Sequence, residues 1–214
     1  MVKIDRTPLP PGVSITKDED YRNPPVFSLL VADAHNKCYL CEIEGETDWE
    51  VEHRQSRKNF SALQHDWKNL FLSCTHCNGI KLANYDNIID CTIVDPENFI
   101  SFSITNINTV TITGIGTISP DIAKTIDLLN KVYNGIGRCQ TDLGCSNLRN
   151  KVMKEVSKFH ELIDDYNNEG DISLKRIRKT EIEKKIQRYS AFAAFKRLII
   201  RNDVSLFRVF GAAL

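Results

Sequence analysis

The chain has 214 residues, and its 28 lysine and arginine residues are balanced by 28 aspartate and glutamate residues. Hydrophobic residues make up 42% and charged residues 26%, a composition that supports a folded core and excludes wholesale disorder. The apolar runs are shorter than the roughly 20 residues of a membrane-spanning helix, and the first residues lack the apolar stretch of a secretory signal. We therefore expect a cytoplasmic protein without a uniformly basic surface for nucleic acid.

The composition divides the chain into four predicted parts, which together indicate an α+β fold. Residues 1–32 form a proline-rich N-terminal arm, expected to be irregular because five of the seven prolines lie there. Residues 33–98 contain paired cysteines between strand-like runs. Residues 99–118 are rich in alternating β-formers and predict a β-hairpin that turns near residues 106–108. Residues 119–214 form a mainly α-helical C-terminal region.

Three helices are predicted in the C-terminal region. The sequence Ser119-Pro120-Asp121 is typical of a helix start, and further helices are expected over about 145–167 and 172–201. In the last of these, apolar residues recur every three to five positions from Ile177 to Ile199, as in an amphipathic helix.

Charge is distributed unevenly along the chain. Residues 35–95 contain ten acidic and six basic residues, whereas residues 171–214 contain eleven basic and four acidic residues. The basic surplus fits a solvated helix face, contact with nucleic-acid phosphates, or contact with an acidic partner protein.

Four of the seven cysteines form two close pairs, Cys38–Cys41 and Cys74–Cys77. A spacing of two residues lets both sulfurs of a pair bind one ion, and two such pairs supply the four thiolates of a tetrahedral zinc site. A disulfide or redox-active pair is the alternative, but an odd number of cysteines fits a disulfide framework poorly. We expect structural zinc, and we interpret the other cysteines as buried thiols: Cys91, Cys139 and Cys145.

Two strands and a helix are predicted around the second half of this cysteine-containing part. Alternation around Val51 predicts a strand that ends near His53, and it places Glu52 and His53 on opposite faces. Both side chains can then serve one site only if the chain bends there. A second strand-like run extends from Trp67 to Ser73, and a helix is expected after Cys77.

These residues resemble the HNH endonucleases, whose core is a ββα-metal fold. The resemblance extends over about 60 residues and rests on Cys38-x2-Cys41, Glu52-His53, Trp67-x-Asn69-Leu70 and Cys74-x2-Cys77-Asn78-x2-Lys81. A narrower resemblance is to the HNH subunit of Septu-type and retron-associated antiphage defence systems. It rests on Val51-Glu52-His53, the Asp66–Leu70 segment, Asp95-Pro96-Glu97 and the opening Lys3-Ile4-Asp5-Arg6.

The resemblance implies a role for each matching residue. His53 would be the general base that takes a proton from the attacking water, and Asn69 would bind backbone groups that hold His53 in place. Glu52 and Asn78 would ligate a catalytic Mg²⁺ or Mn²⁺ through oxygen atoms. Many family members carry aspartate at the first of these positions and histidine at the second, so we expect modest metal affinity here. The cysteine thiolates would hold a structural Zn²⁺.

Four cations are candidates for contact with nucleic-acid phosphates: Arg54, Arg57, Lys58 and Lys81. For the first three, a solvated loop is an equally good interpretation. For Lys81, hydrogen bonding to the zinc thiolates is the alternative.

The resemblance implies a metal-dependent HNH endonuclease, a phosphodiester hydrolase that cuts DNA. The narrower resemblance implies an effector nuclease that works with an ATPase subunit in antiphage defence. We expect the C-terminal helices to dock on this partner, because their amphipathic surface has no other assigned role. A non-catalytic zinc-ribbon module that binds nucleic acid or protein is an alternative, but it leaves the co-occurrence of Glu52, His53, Asn69 and Asn78 unexplained. A third hypothesis is an RNA-cleaving HNH nuclease, since the sequence does not separate the two substrates.

Overall fold

The computed structural model describes residues 1–106, 109–135 and 137–214. The four strands of this part of the chain are β1 (Trp49–His53), β2 (Leu70–Cys74), β3 (Ile100–Asn106) and β4 (Thr109–Gly114). The helices are α1 (Asp18–Arg22), α2 (Val26–Asp33), α3 (Thr75–Lys81), α4 (Pro120–Asn134), α5 (Cys139–Asn168), α6 (Ile172–Lys185), α7 (Ala193–Asn202) and α8 (Val204–Phe210). The fold is α+β, as the sequence predicts. Within these ranges, no helix combines the length and the apolar composition that spanning a bilayer requires.

Strands β1 and β2 form an antiparallel pair with different neighbours on its two faces. Trp49 lies opposite Cys74, and His53 lies opposite Leu70. Because side chains alternate along a strand, Leu70 and Leu72 pack with α1 and α2, whereas Phe71 faces the core around the cysteines. Helix α3 covers this second face. The pair β1–β2 with α3 is therefore the predicted ββα unit.

Helix α3 begins before the position that the sequence predicts. Its N-cap residue is Cys74, so Cys77 lies in its first turn rather than in front of it. Residues three apart lie on the same face of a helix, which brings the sulfurs of this pair together.

The N-terminal arm is not simply irregular, so that prediction was wrong for part of its length. Helices α1 and α2 lie within it, and Tyr21, Val26 and Leu30 are buried against β2. Burial of these side chains outweighs the local preference of the nearby prolines for irregular backbone.

Strands β3 and β4 form the predicted hairpin, and part of its predicted turn, residues 107–108, lies outside the described residues. The hairpin packs on α4 and α7. Helix α4 begins as predicted, with Ser119 as N-cap and Pro120 in its first turn. The helix predicted over 145–167 is longer, since α5 starts at Cys139.

The helix predicted over 172–201 is broken into α6 and α7. Phe192 has a φ of 50°, in the left-handed region, which ends any continuous α-helix at this point. The break is held by buried groups of the first part of the chain: Lys37 Nζ donates to the Ser190 carbonyl at 3.0 Å, and the Glu42 carboxylate accepts from Ala194 N. Ile177, one of the residues in the helical pattern, is 55% exposed. The apolar period therefore does not describe one buried face.

Candidate active site and metal centre

The two cysteine pairs meet in one buried cluster. The Sγ atoms of Cys38, Cys41, Cys74 and Cys77 lie within 4.8 Å of one another, and those of Cys41 and Cys74 are 3.8 Å apart. Zinc–sulfur bonds of about 2.3 Å in a tetrahedron place the sulfurs about 3.8 Å apart. The cluster therefore has the ligand chemistry and spacing to bind zinc.

The remaining cysteines differ from one another. Cys91 and Cys145 are buried, and burial raises the pKa of the Cys91 thiol to about 12, so this thiol stays protonated. Cys139 is exposed, which corrects the expectation that all three are buried thiols. It is the first residue of α5, where the helix begins at the protein surface.

His53 is held in an orientation that suits a general base. Its Nε2 atom lies 2.9 Å from the carbonyl oxygen of Gln64. A carbonyl can only accept, so in the neutral ring the proton is on Nε2 and Nδ1 carries the free lone pair. The ring of Tyr21 meets the imidazole at 81°, with centroids 5.5 Å apart. Burial lowers the pKa of His53 despite the Gln64 carbonyl, which favours the neutral, proton-accepting form at pH 7.

Asn69 fixes the loop that follows His53. Its Oδ1 accepts from Gln55 N at 2.7 Å, and its Nδ2 donates to the carbonyls of Gln55 and Leu63 at 2.9 and 3.0 Å. His53 and Asn69 thus bind the carbonyls of two neighbouring residues, Gln64 and Leu63. The amide makes the kind of backbone contact that the resemblance implies.

Glu52 lies on the opposite face of β1 in a buried ion pair. Its Oε1 is 2.6 Å from Lys81 Nζ, and its Oε2 accepts from Tyr39 Oη at 2.5 Å. Burial raises the pKa of Glu52, and Lys81 and Tyr39 oppose this rise. Lys81 is fully buried and also donates to the His53 carbonyl at 2.8 Å. Its predicted contact with phosphate was therefore wrong, because α3 directs its ammonium group into the core.

Asn78 contacts a different glutamate from the one that the sequence predicts. Its Nδ2 donates to Glu50 Oε2, and both residues line a cavity of about 550 Å³. Asn78 also lines a cavity of about 390 Å³ together with Glu52 and His53. The predicted ligands Glu52 and Asn78 therefore line the same cavity, but the direct contact of the Asn78 side chain is with Glu50. Sequence reasoning missed Glu50, although alternation along β1 places it on the same face as Glu52.

The loop cations do not all lie at these cavities. Arg57 and Lys58 are exposed and line the cavity that contains His53, and Arg57 also pairs with Asp18 at 2.9 Å. Arg54 instead donates to the Ile88 carbonyl at 3.0 Å and pairs with Asp90 at 3.3 Å. Its predicted phosphate contact is not supported, since its side chain is only 19% exposed and lines neither cavity, whereas the Arg57 side chain is 48% exposed.

The comparisons with known proteins agree with this geometry. Residues 38–83 match the family model described as HNH endonuclease. Residues 38–83 are therefore similar to the HNH endonucleases. The matched segment includes the four clustered cysteines together with His53, Asn69 and Asn78.

A curated relative is the Septu protein PtuB of Bacillus thuringiensis, which is 36% identical to this chain over 78 residues. The match covers 33% of this chain and 30% of that protein, so the chain is similar to less than a third of the length of this relative. No solved structure matches the chain.

Proposed function

We propose that this protein is a metal-dependent endonuclease that hydrolyses DNA phosphodiester bonds, with His53 as its general base. The observation that carries the proposal is the His53 imidazole inside the HNH domain. Its Nε2 is bonded to a carbonyl, and the residues His53, Glu52 and Asn78 line the same cavity.

The residues of this chain would divide the chemistry as follows. His53 Nδ1 would accept the proton of the water that attacks phosphorus. Arg57 and Lys58 would bind phosphate oxygens at the mouth of the cavity. Asn69 would keep the loop, and with it the His53 ring, in register with the substrate.

Oxygen ligands of the kind that Mg²⁺ and Mn²⁺ prefer stand beside this base. Asn78 and Glu52 would hold the ion, and Glu50 is a second candidate because it contacts Asn78 directly. When bound, the ion would stabilise the developing phosphate charge and the leaving 3′ oxygen. Binding of Mn²⁺, measured by electron paramagnetic resonance, distinguishes the two glutamates: the true ligand is the one whose change to glutamine weakens affinity as much as Asn78→Ala.

The cysteine cluster would hold a structural zinc ion that stabilises the domain without taking part in hydrolysis. All four sulfurs are buried, which leaves no open coordination position for a substrate.

The similarity to PtuB supports a place in a Septu-type defence complex. An ATPase subunit is the partner that we propose. The exposed face of α6 is our candidate docking surface: it contains Leu174 and Ile177, at 49% and 55% exposure, beside Lys184 and Lys185. Arg188 is less suitable because it pairs with Asp95 at 2.7 Å. Charge reversal at both lysines should abolish co-purification with a co-expressed Septu ATPase. Reversal of the exposed Lys154 on α5 is the control, and unchanged co-purification of the double variant would contradict this assignment.

The test of the proposed activity is cleavage of supercoiled plasmid with Mg²⁺ or Mn²⁺, with and without the ATPase partner. We expect nicking or linearisation by the wild type and by His160→Ala, an exposed histidine on α5, but not by His53→Ala at unchanged zinc content. Equal cutting by all three proteins would exclude His53 as the base. Silence of the wild type with its partner on DNA would favour the binding-module hypothesis, and cleavage confined to an RNA substrate would favour the RNA nuclease.

A further inference from the structure

We propose that Asp18, on helix α1 and outside the matched residues 38–83, is a positioning residue for the general base. This inference rests on the proposed role of His53. Asp18 acts through Gln64, whose side chain it binds and whose carbonyl orients the imidazole.

The contacts form a short chain from α1 to the base. Asp18 Oδ1 accepts from Gln64 Nε2 at 2.8 Å, and the carbonyl oxygen of the same glutamine lies 2.9 Å from His53 Nε2. Asp18 also lies 3.3 Å from His65 Nε2, so it contacts two successive residues of the loop. The loop is thus held from outside by Asp18 and from inside by Asn69, which binds the Leu63 carbonyl at 3.0 Å.

Helix α1 makes a second, independent contact with the site. Tyr21 is 1% exposed in the core that α1 and α2 form on β2, and its ring makes a T-shaped contact with the His53 ring. Asp18 Oδ2 additionally accepts from Arg57 Nη1 at 2.9 Å, the cation proposed to bind phosphate. Helix α1 therefore carries a buried anchor, Tyr21, and a carboxylate that contacts both the loop that orients the base and the cation proposed to bind substrate.

Loss of Asp18 would free the Gln64 side chain and let its peptide group rotate. The hydrogen bond that keeps the His53 proton on Nε2 would weaken, and Nδ1 would no longer be held as the acceptor. A misplacement of about 1 Å at a catalytic group is enough to lower a rate up to about a hundredfold.

The first measurement is nitrogen NMR of the imidazoles in the zinc-loaded full-length protein, with His53 assigned from the spectrum of His53→Ala. We expect the Nε2-protonated pattern in the wild type and a mixture of tautomers in Asp18→Ala. Gln64→Ala removes the other partner of the Asp18–Gln64 hydrogen bond and should also give a mixture of tautomers. Glu19→Ala, an exposed acid on the same helix, is the matched control and should keep the wild-type pattern.

The second measurement is plasmid cleavage by the same proteins with their metal and partner. We expect kcat to fall about tenfold or more in Asp18→Ala, and a smaller fall in Asp18→Asn, whose amide oxygen can still accept from Gln64. An unchanged His53 pattern in both Asp18→Ala and Gln64→Ala would overturn the inference. Faster cleavage by Asp18→Ala would also overturn it, because α1 would then act as a cover on the base.

The two measurements separate this inference from the proposed function. Failure of the wild type to cut any substrate would refute nuclease activity, whereas the NMR comparison would still show whether Asp18 fixes the His53 ring.

Discussion

Replacement of Lys81 by methionine is expected to destabilise the ββα unit strongly. Methionine keeps most of the apolar stem of lysine, so the main loss is the ammonium group. That group lies 2.6 Å from Glu52 Oε1 and 2.8 Å from the His53 carbonyl oxygen, and the lysine side chain is 0% exposed. The variant therefore leaves a buried carboxylate and a backbone carbonyl without their cationic partner.

Removal of one partner of a buried ion pair costs about 3–5 kcal/mol in the free energy of unfolding. The hydrogen bond from Tyr39 Oη remains and places the expected loss near the lower figure. Burial raises the pKa of Glu52 even beside Lys81, and loss of the ammonium group raises it further. The folded state then binds a proton more tightly than the unfolded state. The loss in the free energy of unfolding caused by Lys81→Met should therefore be largest at neutral pH. It should become smaller as the pH falls toward the ordinary glutamate pKa.

The assay is urea unfolding followed by circular dichroism at fixed free zinc, since zinc binding would otherwise change the apparent stability. The exposed Lys68→Met is the control and should cost less than about 0.5 kcal/mol. The double variant Glu52→Gln, Lys81→Met removes both charges of the pair. Its loss in the free energy of unfolding should therefore be smaller than the sum of the two single losses, by about 2 kcal/mol or more. A loss below about 1 kcal/mol in Lys81→Met, or simple additivity in the double variant, would refute the reasoning.

Three further predictions follow from the site. Asn69→Ala removes three hydrogen bonds to backbone groups and should lower the free energy of unfolding by about 2–4 kcal/mol in the same urea assay, with faster amide exchange at Gln55; an unchanged exchange rate would contradict this. Cys77→Ala should lose stoichiometric zinc and unfold the domain, whereas the exposed Cys139→Ala should keep both zinc content and fold. Because burial lowers the pKa of His53, kcat/KM should decline only below the ordinary imidazole pKa of about 6.5, and a decline centred above that pH would exclude His53 as the base.

Local features of the sequence determine the parts of the molecule that depend on spacing. The spacing within each cysteine pair predicts that both of its sulfurs bind one ion, but the approach of Cys41 to Cys74, 33 positions away, depends on tertiary packing. Alternation along β1 correctly separates Glu52 from His53 on the two faces of the strand. The spacing within a cysteine pair and the alternation along a strand depend only on the few residues on either side, so neither requires knowledge of distant contacts.

Tertiary structure alone decided which partner each polar side chain meets. Lys81 has the same local sequence whether it faces phosphate or the core, and only the packing of α3 on β1 brings it to Glu52. The break between α6 and α7 depends on Lys37, which is distant in sequence from Ser190.

The contacts of helix α1 are the clearest example of partners that the local sequence does not predict. Nothing in the residues around Asp18 indicates that they lie against the loop carrying Gln64, 46 positions away. Hydrophobic period and ligand spacing are properties of short segments, whereas hydrogen-bond partners across the core depend on how those segments pack.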